Sequence, residues 1–158
     1  MRQIKLPENY SEDLAEFVGI LLGDGHLNRQ EFSIAGNSVG DMPYLSGYVK
    51  TLVEKLFSTE PKIIVKTDQQ TMYLRIRSVE ISEYLVKTGL KNGPKNDIKI
   101  PSWIMENEEY MKRFLRGLVD TDGSLAIKKR YRKVPYYPVI SISSKNKDFI
   151  FIIFYCNS

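Results

Sequence analysis

From Asp13 to Leu22 the chain reads DLAEFVGILL, apolar at nearly every position, with Ser11 placed to cap it and Glu12 and Asp13 in its first turn. The pattern predicts a buried helix that stops at Gly23-Asp24-Gly25. The period then falls to two: Phe32 and Ile34 alternate with Ser33 and Ala35 after a polar turn near 28–30, which predicts a hairpin ending at Gly36. Asp41 is placed to cap a second helix over Tyr44–Phe57, in which Leu45, Tyr48, Leu52 and Leu56 recur at helical spacing. Strands are predicted at Lys62–Lys66 and Thr71–Val79, and a third helix at Glu80–Thr88. The order helix, strand, strand, helix, strand, strand, helix is an α+β pattern.

The stretch 91–103 (KNGPKNDIKIPSW) has no apolar period and predicts a linker between a first unit, 1–90, and a second, 104–158. In the second unit a helix over Glu108–Val119 runs into Asp120-Thr121-Asp122-Gly123, followed by strand-like stretches at 124–130 and 136–143. The helix-to-strand junction therefore occurs twice. FVGILLGDG (17–25) and LRGLVDTDG (115–123) share a glycine at the third position and Asp-Gly at the last two. Gly19 and Gly23 lie on one face of their helix, as do Gly117 and Thr121 on theirs. Small residues at that spacing let two helix backbones approach closely. If these helices pack face to face, Asp24 and Asp122 emerge side by side at their ends.

Each of those carboxylates would then sit at the negative end of a helix dipole beside a like charge, an arrangement that a hard divalent cation relieves. Mg²⁺, or another divalent ion such as Mn²⁺, in such a place supports hydrolysis of a phosphodiester. A single Asp-Gly pair has a plainer reading as a turn, and it is the matched second copy that favours the metal. Asp120-x-Asp122-Gly opens like a calcium loop, but no closing Glu follows at the required spacing.

Composition narrows the alternatives. One cysteine and one histidine, Cys156 and His26, allow neither a disulfide nor a Cys- or His-based metal cluster, and there is no phosphate-binding GxxxxGK[ST] loop. No run of about 18 apolar residues or secretory leader is read from the sequence, so an intracellular, non-secreted protein without a membrane partner is expected. Net charge is +4, with residues 1–110 at −3 and residues 111–158 at +7. In TMYLRIRSV, Tyr73, Arg75 and Arg77 share one strand face, which Lys62, Ile64 and Lys66 would continue next door. Lys128 and Arg130, with Arg132 and Lys133 at a hairpin tip, offer a similar row in the second unit. Such faces suit the phosphates and major groove of double-stranded DNA.

The two motif copies and the hundred residues between them resemble the LAGLIDADG family of homing endonucleases, in its class with two motifs per chain. The resemblance implies two pseudo-symmetric αββαββα halves joined at the paired motif helices, with the sheets forming a saddle over DNA. It implies a site-specific, metal-dependent double-strand endonuclease of the kind that acts in intron homing. Asp24 and Asp122 would be the metal ligands, helped by the carbonyls of Gly23 and Thr121. It further implies a polar or basic side chain near each scissile phosphate, for which the matching positions are Asn37 and Lys145. The first copy departs from the motif at its sixth position, where Leu22 stands and the second copy has Asp120. A cleavage-deficient DNA-binding protein or an RNA maturase on the same fold is the alternative reading. Only 36 residues follow Asp122, and Phe149–Tyr155 is apolar throughout. The expectation is an incomplete second half, weak cleavage, and self-association through that tail in place of the monomer expected of a complete chain.

Overall fold

The computed structural model describes residues 3–95, 99–128 and 137–142, with the backbone alone described for 122–128 and 137–142. Residues Arg130, Arg132, Lys133 and Lys145 and the apolar run Phe149–Tyr155 lie outside the described residues.

The architecture is α+β. The first unit runs α1 (Glu12–Asp24), β1 (Gly25–Leu27), β2 (Glu31–Asn37), a helix that begins with a π-helical turn (Tyr44–Val49) and continues as α2 (Lys50–Phe57), β3 (Lys62–Lys66), β4 (Thr71–Arg77) and α3 (Val79–Lys87). The order is αββαββα, and the four strands form one antiparallel sheet in the order β1-β2-β4-β3. Beyond it come α4 (Ser102–Met105), α5 (Glu108–Asp122) and the antiparallel pair β5 (Gly123–Lys128) and β6 (Tyr137–Ile142). Among the described residues no helix is long and apolar enough to cross a membrane.

Alternation along the strands sorts the sheet into two faces. Phe32, Ile34, Met72, Leu74 and Ile76 are buried beneath the helices, where Phe32 and Phe57 pack edge-on against Phe17 of α1 at ring separations of 5.3 and 5.6 Å. Every residue of α1 from Leu14 to Leu22 is buried, so this helix lies at the centre of the core.

Several boundaries differ from those the sequence predicts. Helix α1 ends at Asp24, within the expected Gly23-Asp24-Gly25 stop but two residues past Leu22, and its last carbonyls find partners: the Gly25 amide donates to Leu21, and the Lys95 ammonium donates to Leu22 and Gly23. Strand β4 ends at Arg77, since Ser78 accepts from the Ile81 amide and starts α3 one residue before Glu80. The Asp41 side chain does not cap the second helix. It accepts from the Asn37 amide at 2.7 Å, and the Asp41 carbonyl takes the Leu45 amide instead. Most described residues of the expected linker 91–103 are exposed, and its end packs onto the fold. Ile100 and Pro101 are buried, and the Trp103 ring stacks on Tyr10 at 4.2 Å while its indole donates to the Thr88 carbonyl.

Candidate functional site

The site is built on the contact between α1 and α5. A methyl group added to Gly19 would overlap the Phe114 carbonyl oxygen and lie 3.0 Å from the Leu118 nitrogen. One added to Gly117 would overlap the Glu16 carbonyl oxygen and lie 3.0 Å from the Ile20 nitrogen. The two motif glycines thus seat each helix backbone against the other, reciprocally, with no side chain between them. Thr121, four residues after Gly117, turns its hydroxyl back onto the Gly117 and Leu118 carbonyls, both at 3.1 Å.

This contact brings the C-terminal ends of the two helices together. Asp24 lines a small polar pocket with Asp41 and Tyr44 of its own unit and with Asp120 and Thr121 of α5. Asp24 is exposed at the last position of α1, and Asp122 holds the same last position of α5. Both carboxylate-bearing residues therefore occupy the negative ends of packed helices, where oxygen donors attract a cation. The pocket responds to that concentration of charge. Burial raises the Asp120 carboxyl above its ordinary value; Arg116, 4.0 Å away, opposes the rise and Glu16 adds to it. Burial, followed by the negative charges of Asp120 and Glu16, also holds the Tyr44 phenol well above its usual range.

The cationic group that the structure brings to this place is one the sequence pattern did not single out. Gly93 takes a left-handed conformation (φ +92°) and donates its amide to the Leu27 carbonyl, which turns the chain back toward the end of α1. Two residues later the Lys95 ammonium donates to the Leu22 carbonyl at 3.0 Å and the Gly23 carbonyl at 2.5 Å. Its only sequence signal was a lysine directly after Gly-Pro, in a stretch rich in Lys. Asn37, the position matched from the resemblance, lies at the end of β2, where its side-chain oxygen accepts from the Val39 and Gly40 amides and so shapes a turn.

The oxygen-rich ends fit a hard divalent cation in kind. The donors are carboxylates and main-chain carbonyls, and a positive group already rests on the Leu22 and Gly23 carbonyls. Among the described residues, which leave out the Asp122 side chain, no three His, Cys, Asp or Glu side chains gather where they could hold a metal ion.

On the sheet, Lys62, Ile64 and Lys66 of β3 share the open face with Tyr73, Arg75 and Arg77 of β4, in the register Lys62 opposite Arg75, Ile64 opposite Tyr73 and Lys66 opposite Thr71. The Lys66 ammonium lies 5.4 Å from the centre of the Tyr73 ring. Lys128 ends β5 opposite Tyr137.

Residues 109–152 match the family model of the LAGLIDADG-like domain. The chain is 31% identical over 118 residues to the replication factor C small subunit of Methanocaldococcus jannaschii, a match spanning 74% of this chain and 6% of the relative. It is 29% identical over 137 residues to the tRNA-splicing ligase RtcB of Methanopyrus kandleri (77% and 14%) and 25% identical over 158 residues to an uncharacterized protein of M. jannaschii (92% and 53%). The chain thus spans between about a twentieth and half of the length of these relatives. Among solved structures, mesophilic variants of the homing endonuclease I-DmoI share its fold with a TM-score of 0.57 at 20% identity, covering 92% of this chain and 70% of theirs. The I-LtrWI LAGLIDADG homing endonuclease, solved bound to target DNA, matches with a TM-score of 0.55 at 14% identity over 93% of this chain and 72% of its own. With two motif helices in glycine-mediated contact and an αββαββα first unit, the chain shares the fold of these homing endonucleases, and its residues 109–152 match the LAGLIDADG-like domain.

Proposed function

We propose that this chain is a site-specific, divalent-metal-dependent endonuclease acting on double-stranded DNA. The observation that carries the reading is the meeting of two Asp-bearing helix ends beside a sheet whose open face carries a row of Lys and Arg. The relatives named above have no named activity in common, so what they share with this chain is the matched segment.

In this reading the sheet face positions the duplex through its phosphates and reads base edges in the major groove. Asp24 and Asp122, with the Thr121 carbonyl and, once the Lys95 ammonium leaves it for the phosphate, the Gly23 carbonyl, would hold Mg²⁺ or Mn²⁺. When bound, such an ion neutralises charge on the phosphate and makes water acidic enough to attack it. Lys95, held at the end of α1, would donate to a phosphate oxygen beside Asn37, the position that the family resemblance points to, and Lys145 is the proposed counterpart in the second unit.

The test is digestion of a plasmid library carrying random duplex inserts by the full chain, with Mg²⁺, with Mn²⁺ and with chelator. Cleavage should require metal. It should vanish in Asp24→Asn and in Asp122→Asn while duplex binding persists, because each change removes a ligand charge and keeps side-chain shape. Lys95→Ala should slow cleavage more than Asn37→Ala. Metal-independent cutting, or full cutting by both Asn variants, would overturn the mechanism. Specific binding without nicking under any metal would leave the binding-protein reading in its place.

A further inference from the structure

Phosphate binding accounts for the cations on the open face of the sheet, but not for its one acid. Among the described strand residues of that face, Lys62, Lys66, Arg75 and Arg77 are cationic and Glu31 alone carries a carboxylate. A carboxylate there repels phosphate, so its presence calls for a partner of different chemistry. Glu31 opens β2 directly opposite Arg77, yet the Arg77 guanidinium leans to the hairpin tip and donates to the Gln30 side-chain oxygen at 3.3 Å. Glu31 faces the diagonal neighbour instead, with its Oε2 at 4.0 Å from Arg75 Nε. That distance is an ion pair without a hydrogen bond, and both side chains stay partly open to solvent, at 26% for Glu31 and 43% for Arg75. They line a shallow groove with Ser33, Ile64, Lys66 and Tyr73. A planar donor fork and an acceptor-only group thus lie side by side on the surface, neither consumed by the other.

We propose that Arg75 and Glu31 together read one G·C base pair in the major groove, an inference that rests on the DNA-binding reading above. The major-groove edge of a G·C pair offers guanine N7 and O6, both acceptors, and beside them the cytosine N4 amino donor. The guanidinium fork satisfies the first two and the adjacent carboxylate the third, so the protein presents donor, donor, acceptor against acceptor, acceptor, donor. An A·T pair places the adenine amino group against the guanidinium and the thymine O4 against the carboxylate, which leaves both mismatched. The Glu31 charge lowers general attraction to the backbone and adds discrimination at one position.

The experiment is enrichment of bound duplexes from a random pool by the purified full chain, in chelator, with folding of each variant checked by circular dichroism. The wild type is expected to enrich a motif. Arg75→Ala and Glu31→Ala should each flatten the same single G·C position by roughly tenfold or more in relative preference, leaving the other positions intact. Glu31→Ala should bind unrelated duplex as well as the wild type or better. Lys62→Ala, in contrast, should weaken all sequences alike and reduce the salt dependence by about one ion. A wild-type motif that Glu31→Ala reproduces at every position overturns the proposal, as does flattening of two different positions by the two variants. If the wild type enriches no sequence at all, the DNA-recognition reading fails and this inference fails with it.

Discussion

The two motif copies share Gly, Asp and Gly at the third, eighth and ninth of their nine positions, yet their helices live in different surroundings. Helix α1 is buried from Leu14 to Leu22, covered on one side by its own sheet and on the other by α5. Helix α5 is two-sided. Phe114, Gly117 and Leu118 are buried at the contact, while Lys112, Arg116 and Asp120 are exposed. The sequence reflects this, because the sixth motif position is Leu22 in α1, 7% exposed, and Asp120 in α5, whose side chain is 39% exposed. At the contact itself the helices are equivalent, each glycine admitting the other backbone. Repetition is thus kept where the helices touch and lost where each meets its own surroundings.

An ion network underlines the same asymmetry. Glu16 of α1 is fully buried and accepts from the Tyr48 hydroxyl at 2.5 Å, with Arg113 of α5 2.7 Å away and Arg116 at 3.7 Å. Asp13 accepts from Arg113 at 2.8 Å and also pairs with Lys55. The arginines of α5 thus neutralise carboxylates of α1, and the core helix depends on its more exposed partner for charge balance.

Exchanging the sixth positions breaks the comparison most sharply. Leu22→Asp removes a buried apolar side chain and forces a carboxyl into its place, at an expected cost of about 3–5 kcal/mol, whereas Asp120→Leu is expected to stay within about 1 kcal/mol. Thermal denaturation of the two variants measures the difference, and equal losses would mean that the two flanks are alike. The glycines should behave in the opposite way. Gly19→Ala and Gly117→Ala each drive a methyl into main-chain atoms of the facing helix and should cost about 1–3 kcal/mol or more, to the same extent. That corresponds to roughly 2–4 °C per kcal/mol in melting temperature for a chain of this size. A large loss at one glycine and none at the other would show that the contact is not reciprocal.

Much of this was legible in the sequence, because the signals were local. Alternation at Phe32 and Ile34 and at Met72, Leu74 and Ile76 separated the buried from the open face of the sheet, and the repeated glycine located the helix contact. What escaped was set by contacts between distant segments. Lys95 reaches carbonyls more than seventy positions earlier, and nothing in its own neighbourhood marks that destination. The same contact gives the last carbonyls of α1 a partner at the Gly23-Asp24-Gly25 stop. Asp41 looks like a helix cap in sequence, but Asn37 lies within reach of the same carboxylate and takes it. The π-helical turn at Tyr44–Val49 is likewise invisible to a helical period, since one extra residue in a turn leaves the apolar spacing almost unchanged.

The smallest expected effect is also the most diagnostic of the charge held where the helices end. Burial raises the Asp120 carboxyl in the folded chain, so ionising it costs more there than in the unfolded chain. Below the ordinary carboxylate range it is protonated in both states and the penalty is absent. The penalty appears as pH rises through that range and is complete above the raised folded value. Asp120→Asn never ionises and escapes it, at the loss of the 4.0 Å pair with Arg116, which solvent screens. The variant should therefore melt like the wild type near pH 3 and slightly above it at pH 7, by about 0.5 kcal/mol or less. A variant that melts below the wild type at pH 7 would mean that the Arg116 pair outweighs burial. The exposed flank of α5 would then be held together by charge, as the buried heart of the contact is at Glu16.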